Sequence, residues 1–209
     1  MTGIATPEEI HAFWFPEGIE VADEETTLRQ VAWWFRGGAD PEIVARFGPT
    51  LEAAISGQLD VWAKTASGRL ALILVLDQFP RSVYRDDPRA YAQDPKAAGL
   101  VLEGLANGDY EKLKHFWEKT FFALPFSHSE DLALHDRCVP LVEALIDAAP
   151  AHLRKMLEFS AGQARGHRDV VARFGRHPHR NRVLGRESTP EELEHLASTV
   201  PVHQRTMKR

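Results

Sequence analysis

The chain has 209 residues, 44% of them hydrophobic and 26% charged, with a formal net charge of −5. That length fits one globular domain, and the acidic balance excludes a polyanion binder that works by bulk charge. The single cysteine, Cys138, excludes an intrachain disulfide and a thiol-ligated metal site, and the longest strictly apolar run, Leu70 to Leu76, is far too short to span a bilayer.

Helix punctuation organises the chain. Thr6-Pro7-Glu8-Glu9 combines an N-cap, a first-turn proline and a capping-box glutamate, and predicts a helix over 7–15. The start, MTGIATPEEI, is acidic and proline-bearing, unlike a signal peptide, so a cytoplasmic protein is expected. Helices follow over 24–36 and 41–56, the second opened by Asp40-Pro41. Residues 67–79, SGRLALILVLDQF, are apolar nearly all round, which predicts a helix buried among others.

Asp87-Pro88 and Asp94-Pro95 open helices over 88–92 and 95–106. A helix over 110–122 comes next, and Ser127-His128-Ser129-Glu130 reads as a capping box for one over 129–148. Residues 151–174 carry one seam: Leu153, Leu157, Ser160, Ala164, His167, Val171 and Phe174. Thr189-Pro190-Glu191-Glu192 opens a short last helix over 190–198. Strand signals are weak. The expectation is one all-α domain over 1–200, about nine or ten antiparallel helices, with a C-terminal arm at 175–189 and a tail at 201–209.

The arm is the chemically unusual stretch. From Arg165 to Arg186 there are seven arginines, no lysine and one acidic residue, Asp169. From Glu8 to Glu25 there are seven acidic residues and no Lys or Arg. Opposite charge favours packing of the N-terminus near the arm, its own or another subunit's; the alternative is two separate solvated faces.

LALILVLDQFPRSVYR (Leu70–Arg85), DPKAAGLVLEGL (Asp94–Leu105), FFALPFSHSED (Phe121–Asp131) and HRDVVARFGRHPHRNRVLGRESTPEE (His167–Glu192) together resemble the bacterial family catalogued as domain of unknown function 924. FWFP (Phe13–Pro16) and Trp34-Phe35 fit it as well. The resemblance implies an all-helical, tetratricopeptide-repeat-like α/α superhelix, and implies no activity. Three positions depart from the family pattern: His177 stands where an aromatic is common, Ser82 where Asn is, and His135 where Gln is.

Candidate catalytic residues are Asp77, His128, Glu130, His167 and His179. Asp77 ends the most buried helix, where a carboxylate needs a cation; an arginine of the arm is the expected partner, because Pro80 breaks the helix before Arg81. His128 and Glu130 are read at a helix N-terminus, with Glu130 completing the cap. His167 lies on the seam of 151–174. His177-Pro178-His179 puts two rings on one side of an extended segment, but the surrounding arginines repel a cation, so no metal is expected. His135-Asp136 is discounted for want of further ligands, and no cofactor fingerprint is present. Candidate ligand contacts are Arg81, Arg176, His179, Arg180, Asn181 and Arg186, which suit a carboxylate or phosphate. The tryptophans are read as core. Few lysines and no aromatic series in the arm argue against nucleic acid, and no membrane partner is expected.

Three readings follow: a binding module for an anionic small molecule or peptide carboxylate, a hydrolase of an anionic ester or amide, or a purely structural polar network.

Overall fold

The computed structural model describes residues 3–198, and every regular element among them is helical. The α-helices are α1 (Pro7–Trp14), α2 (Glu24–Phe35), α3 (Asp40–Arg46), α4 (Gly48–Ile55), α5 (Ala66–Asp77) and α6 (Phe79–Val83). They continue with α7 (Asp94–Ala106), α8 (Phe116–His128), α9 (Leu132–Ala148), α10 (Arg154–Phe174) and α11 (Pro190–Ser198). The expected tail, 201–209, lies outside the described residues.

The first capping box forms as written: Glu9 N–H donates to Thr6 Oγ1 at 3.3 Å and Thr6 N–H to Glu9 Oε2 at 2.7 Å. α5 is the axis of the molecule, with every residue from Gly68 to Asp77 buried. Helices α1, α4, α7 and α8 pack around it, and α9 lies between α8 and α10. Short connections fold these last three back on one another as antiparallel neighbours. One hydrophobic cluster runs through the whole, with Trp14, Trp34, Phe79 and Phe121 in edge or tilted ring contact. Among the described residues no helix is long and apolar enough to cross a membrane.

The close packing of α5 has a measurable consequence. A Cβ on Gly68 would lie 2.3 Å from the Trp62 carbonyl oxygen and 2.9 Å from Thr65 Oγ1, the atom that caps this helix. Gly68→Ala is therefore expected to lose about 1–3 kcal/mol, read as a lower urea midpoint, despite alanine's better helix propensity. An unchanged midpoint would show that the Trp62 turn yields freely.

Five expected features are corrected. The helix over 41–56 breaks at Phe47, because Pro49 has no N–H to continue the ladder and instead restarts α4 in its first turn. Residues 88–92 form only a 3-10 turn, Pro88–Ala90. The helix placed at 110–122 starts at Phe116. Asp109 is drawn instead to Arg69, whose Nε donates to it at 3.0 Å, and His115 Nδ1 accepts the Glu118 N–H. This helix then runs through Pro125 to His128, so the capping box at Ser127–Glu130 does not exist. Asp131 caps α9 by accepting the Ala133 N–H at 2.9 Å. Finally, helix 67–79 divides into α5 and α6 before Pro80.

Gly175, at φ 67°, closes α10 in the left-handed conformation and turns the chain into the arm.

Candidate functional site

The arm is held by Asp94 and Glu130 in the middle of the chain and by Glu192 in α11, not by the acidic N-terminus. Buried Asp94 receives two guanidinium groups: Arg81 NH2 at 2.7 Å and Arg180 NH1 at 2.9 Å. Both cations also sit over the Tyr91 ring, at 5.1 and 4.5 Å from its centroid. Arg81 donates in addition to the Ala90 carbonyl. Burial pulls the Arg180 pKa down; for Arg81 the Asp94 and Asp77 charges outweigh burial and raise it.

Two further clamps hold the arm. Arg186 makes a bidentate pair with Glu130 at 2.7 and 2.9 Å, and Glu130 Oε1 also accepts the His177 N–H at 2.8 Å. Burial pushes the Glu130 carboxyl up, but these bonds prevail and hold it below its usual range. Arg176 donates from Nε and NH2 to buried Glu192 at 2.6 and 2.8 Å, and Asn181 Nδ2 donates to Glu192 and Ser188. The Arg176 hydrogen bonds do most to bring Glu192 down to about 2. Arg176, Asn181 and Arg186, three of the expected ligand contacts, are thus spent inside the protein.

Asp77 was expected to meet an arginine of the arm. Its partner is instead His128, with Nδ1 2.7 Å from Asp77 Oδ1. Gln78 Nε2 donates to Oδ2 at 2.6 Å, and Arg81, brought within reach because α6 restarts directly after α5, lies 3.5 Å away. Burial pushes the Asp77 carboxyl up, but His128, Arg81 and Gln78 together hold it below the usual carboxylate range. His128 ends α8 rather than opening a helix, so its neighbours are carbonyl groups and the expected anion-attracting N–H groups are not there. Its ring is half-buried, and Nε2 makes no hydrogen bond among the described residues.

Beside this pair lie four more imidazoles. His135 and His177, both fully enclosed, direct Nε2 to the same Ser129 carbonyl at 2.8 and 3.0 Å. His167 stacks edgewise on His177 at 5.7 Å, and its buried Nδ1 has no hydrogen-bond partner among the described residues. His179 is exposed, its ring 5.4 Å from that of His177. Burial lowers the pKa values of His135, His167 and His177, that of His167 to about 3; neighbouring rings and Arg180 add to the effect at His167 and His177, and His128 and Arg168 at His135. Among the described residues no group of three His, Cys, Asp or Glu side chains could hold a metal ion.

Of the expected catalytic set, Asp77 and His128 form a hydrogen-bonded pair with His167 nearby, His179 is exposed on the arm itself, and Glu130 is locked to Arg186. Gln78, Tyr91 and Asp94 were not singled out from the sequence. Asp94 reads as a helix cap, and nothing in its spacing marks it as the anchor of two distant arginines.

The profile of a bacterial protein family of unknown function, DUF924, matches residues 10–199. The chain belongs to that family. A solved structure, ATU0120 from Agrobacterium tumefaciens, also a protein of unknown function, is similar to it at 33% identity with a TM-score of 0.65. The match covers 92% of this chain and 97% of that one. No curated protein matches. In this DUF924 member the His177 ring lies between those of His135 and His167, 5.8 and 5.7 Å away.

Proposed function

We propose that the protein is an acid–base enzyme that hydrolyses a small anionic ester or amide, with His128 as general base. The observation that carries this reading is the Asp77–His128 pair. A buried carboxylate accepting the Nδ1–H fixes both ring orientation and tautomer, and leaves the Nε2 lone pair to take a proton from water. Arg81 supplies positive charge beside the pair, and the buried His167 ring lies close enough to feel the charge of His128.

The alternative, a binding module that reads an anion through the arm's arginines, has less support. Each of Arg81, Arg176, Arg180 and Arg186 is already bonded to a carboxylate. Those pairs also account for most of the arm without any ligand.

The test is turnover of a panel of small phosphorylated and carboxylated esters and amides by wild-type protein and two variants. His128→Ala is expected to lower kcat by about 10²–10⁴ while keeping its near-UV circular dichroism. Asp77→Asn is expected to act as strongly on kcat, because an amide donor opposite Nδ1 forces the wrong tautomer. Absence of turnover on the whole panel, or turnover indifferent to His128→Ala, rejects the reading.

A further inference from the structure

A cavity of about 250 Å³ lies between α1, the first turn of α5 and the segment that leads into α8, and plays no part in the hydrolytic reading. Glu8 and His11 of α1, Ser67 of α5, and Lys112, Lys114 and Glu118 line it. Ser67 and Asp77 stand at opposite ends of α5, roughly 15 Å apart. Pockets for drug-sized ligands measure about 300–1,000 Å³, so this one suits a smaller molecule.

Three features of this lining point to a protonated amine. First, Glu118 is 7% exposed, yet only one of its carboxylate oxygens has a hydrogen bond among the described residues. Oε2 accepts the Lys114 N–H at 2.6 Å. Oε1 has only the rings of His11 and His115, each 3.8 Å away and beyond hydrogen-bonding length. A buried carboxylate oxygen without a donor is costly. Second, His11 adds another acceptor. Its Nε2 lies 3.0 Å from the Ser67 carbonyl, which only accepts, so Nε2 carries the hydrogen. In the neutral ring Nδ1, the nitrogen nearest Glu118 Oε1, then presents a lone pair. Two acceptors side by side call for a donor with several hydrogens. His115 is no substitute, because burial lowers its pKa and keeps it from bringing Glu118 a cation. Third, Lys112 is spent on Asp109 at 3.0 Å, whereas Glu8 and Lys114 make no ion pair among the described residues. The uncommitted charges are two carboxylates and one ammonium, which favours a cationic head with an anionic group beside it.

We propose that this cavity binds a small free α-amino acid as its zwitterion, its ammonium donating to Glu118 Oε1 and His11 Nδ1 and its carboxylate drawn to Lys114. Both ends are required: the buried carboxylate selects the ammonium, and Lys114 selects an amine that carries a carboxylate. The proposal stands independently of hydrolysis, since none of these side chains is bonded to Asp77 or His128.

L-Alanine is the probe. Titrated into the isotopically labelled full chain, it should give saturable NMR shifts at the amides of His11, Lys114 and Glu118, with a Kd on the order of millimolar. N-acetyl-L-alanine, which keeps the carboxylate and lacks the ammonium, should bind at least about tenfold more weakly, and ethylamine, which lacks the carboxylate, about tenfold more weakly. Glu118→Gln removes the charge but leaves an amide oxygen for the Lys114 N–H, and should weaken L-alanine at least about tenfold. Lys114→Ala, at an exposed position, should weaken L-alanine and leave ethylamine unchanged. The absence of saturable shifts with L-alanine overturns the proposal, as do shifts confined to amides elsewhere in the chain. So does an equal response to N-acetyl-L-alanine, or an affinity for L-alanine that Lys114→Ala leaves unchanged; these outcomes hold even if Glu118→Gln fails to fold.

Discussion

Asp94→Ala is expected to cost about 3–5 kcal/mol of folding stability, the largest effect of any single side chain in the arm contact. Asp94 is 6% exposed and is the common acceptor of Arg81 and Arg180, the second of which is itself 6% exposed. Deleting the carboxylate leaves the buried Arg180 guanidinium without its counter-ion and Arg81 with only Asp77, 3.5 Å away. The desolvation already spent on them is then uncompensated. Urea denaturation of the wild type, Asp94→Ala, Arg180→Ala and the double variant measures this directly. The double variant should be less damaged than the sum of the singles, because removing Arg180 takes away one of the stranded charges. Arg182→Ala supplies the contrast. Its pair with Asp86 is exposed on both sides, at 82% and 67%, and its loss should change stability by less than about 0.5 kcal/mol. Equal effects for Asp94 and Arg182 would mean that the arm is not anchored at Asp94.

The second large effect is loss of stability at mildly acidic pH. His135, His167 and His177 all have folded-state pKa values lowered, burial being the chief cause. Above the ordinary histidine pKa of about 6.5 both folded and unfolded chains carry these rings neutral, and they contribute nothing to the pH dependence. Below it the unfolded chain takes up protons that the folded chain refuses, so stability falls as pH falls. For each ring still neutral in the fold the loss is about 1.4 kcal/mol per pH unit. For His167 and His177 between pH 6.5 and 5 that amounts to about 4 kcal/mol, and His135 adds to it in the same direction. The lowered carboxylates act in the same direction at lower pH. Asp77, Glu130 and Glu192 contribute stability that is present above the unfolded carboxylate range and is lost as pH falls through their folded values. Arg180 and the rings of His167, His179 and His135 reinforce burial in disfavouring the protonated His177 ring.

Thermal denaturation from pH 7.5 to 5 should therefore show a steep fall in Tm. His177→Phe should flatten it, because phenylalanine does not titrate and the Ser129 carbonyl keeps its bond from His135. A Tm independent of pH over this range would show that the rings are hydrated and already titrating normally.

These outcomes turn on partners, and partners were the hardest thing to read in the chain. The buried helix was legible as a continuous apolar run, and α1, α7, α10 and α11 were legible from caps and periodicity. All are signals confined to a few consecutive residues. The start of α8 was missed because Asp109–His115 looks helical in isolation and is held out of a helix by Arg69, forty residues away. That one shift moved His128 from a helix start to a helix end and took Glu130 out of its supposed cap. In the same way Asp77 was recognised as a carboxylate in need of a cation, but its partner was assigned to the wrong element.

By itself the sequence determined the all-α class, the family, the burial of α5, Cys138 and most of the tryptophans, and the place where polar chemistry concentrates. Periodicity, capping and composition are local, and they state what a segment needs. Only the tertiary structure decided which need meets which: Asp77 with His128, Asp94 with two arginines, Glu130 with Arg186. Ion pairing inside a protein depends on distance and desolvation between segments far apart in the chain, and no local pattern encodes those distances.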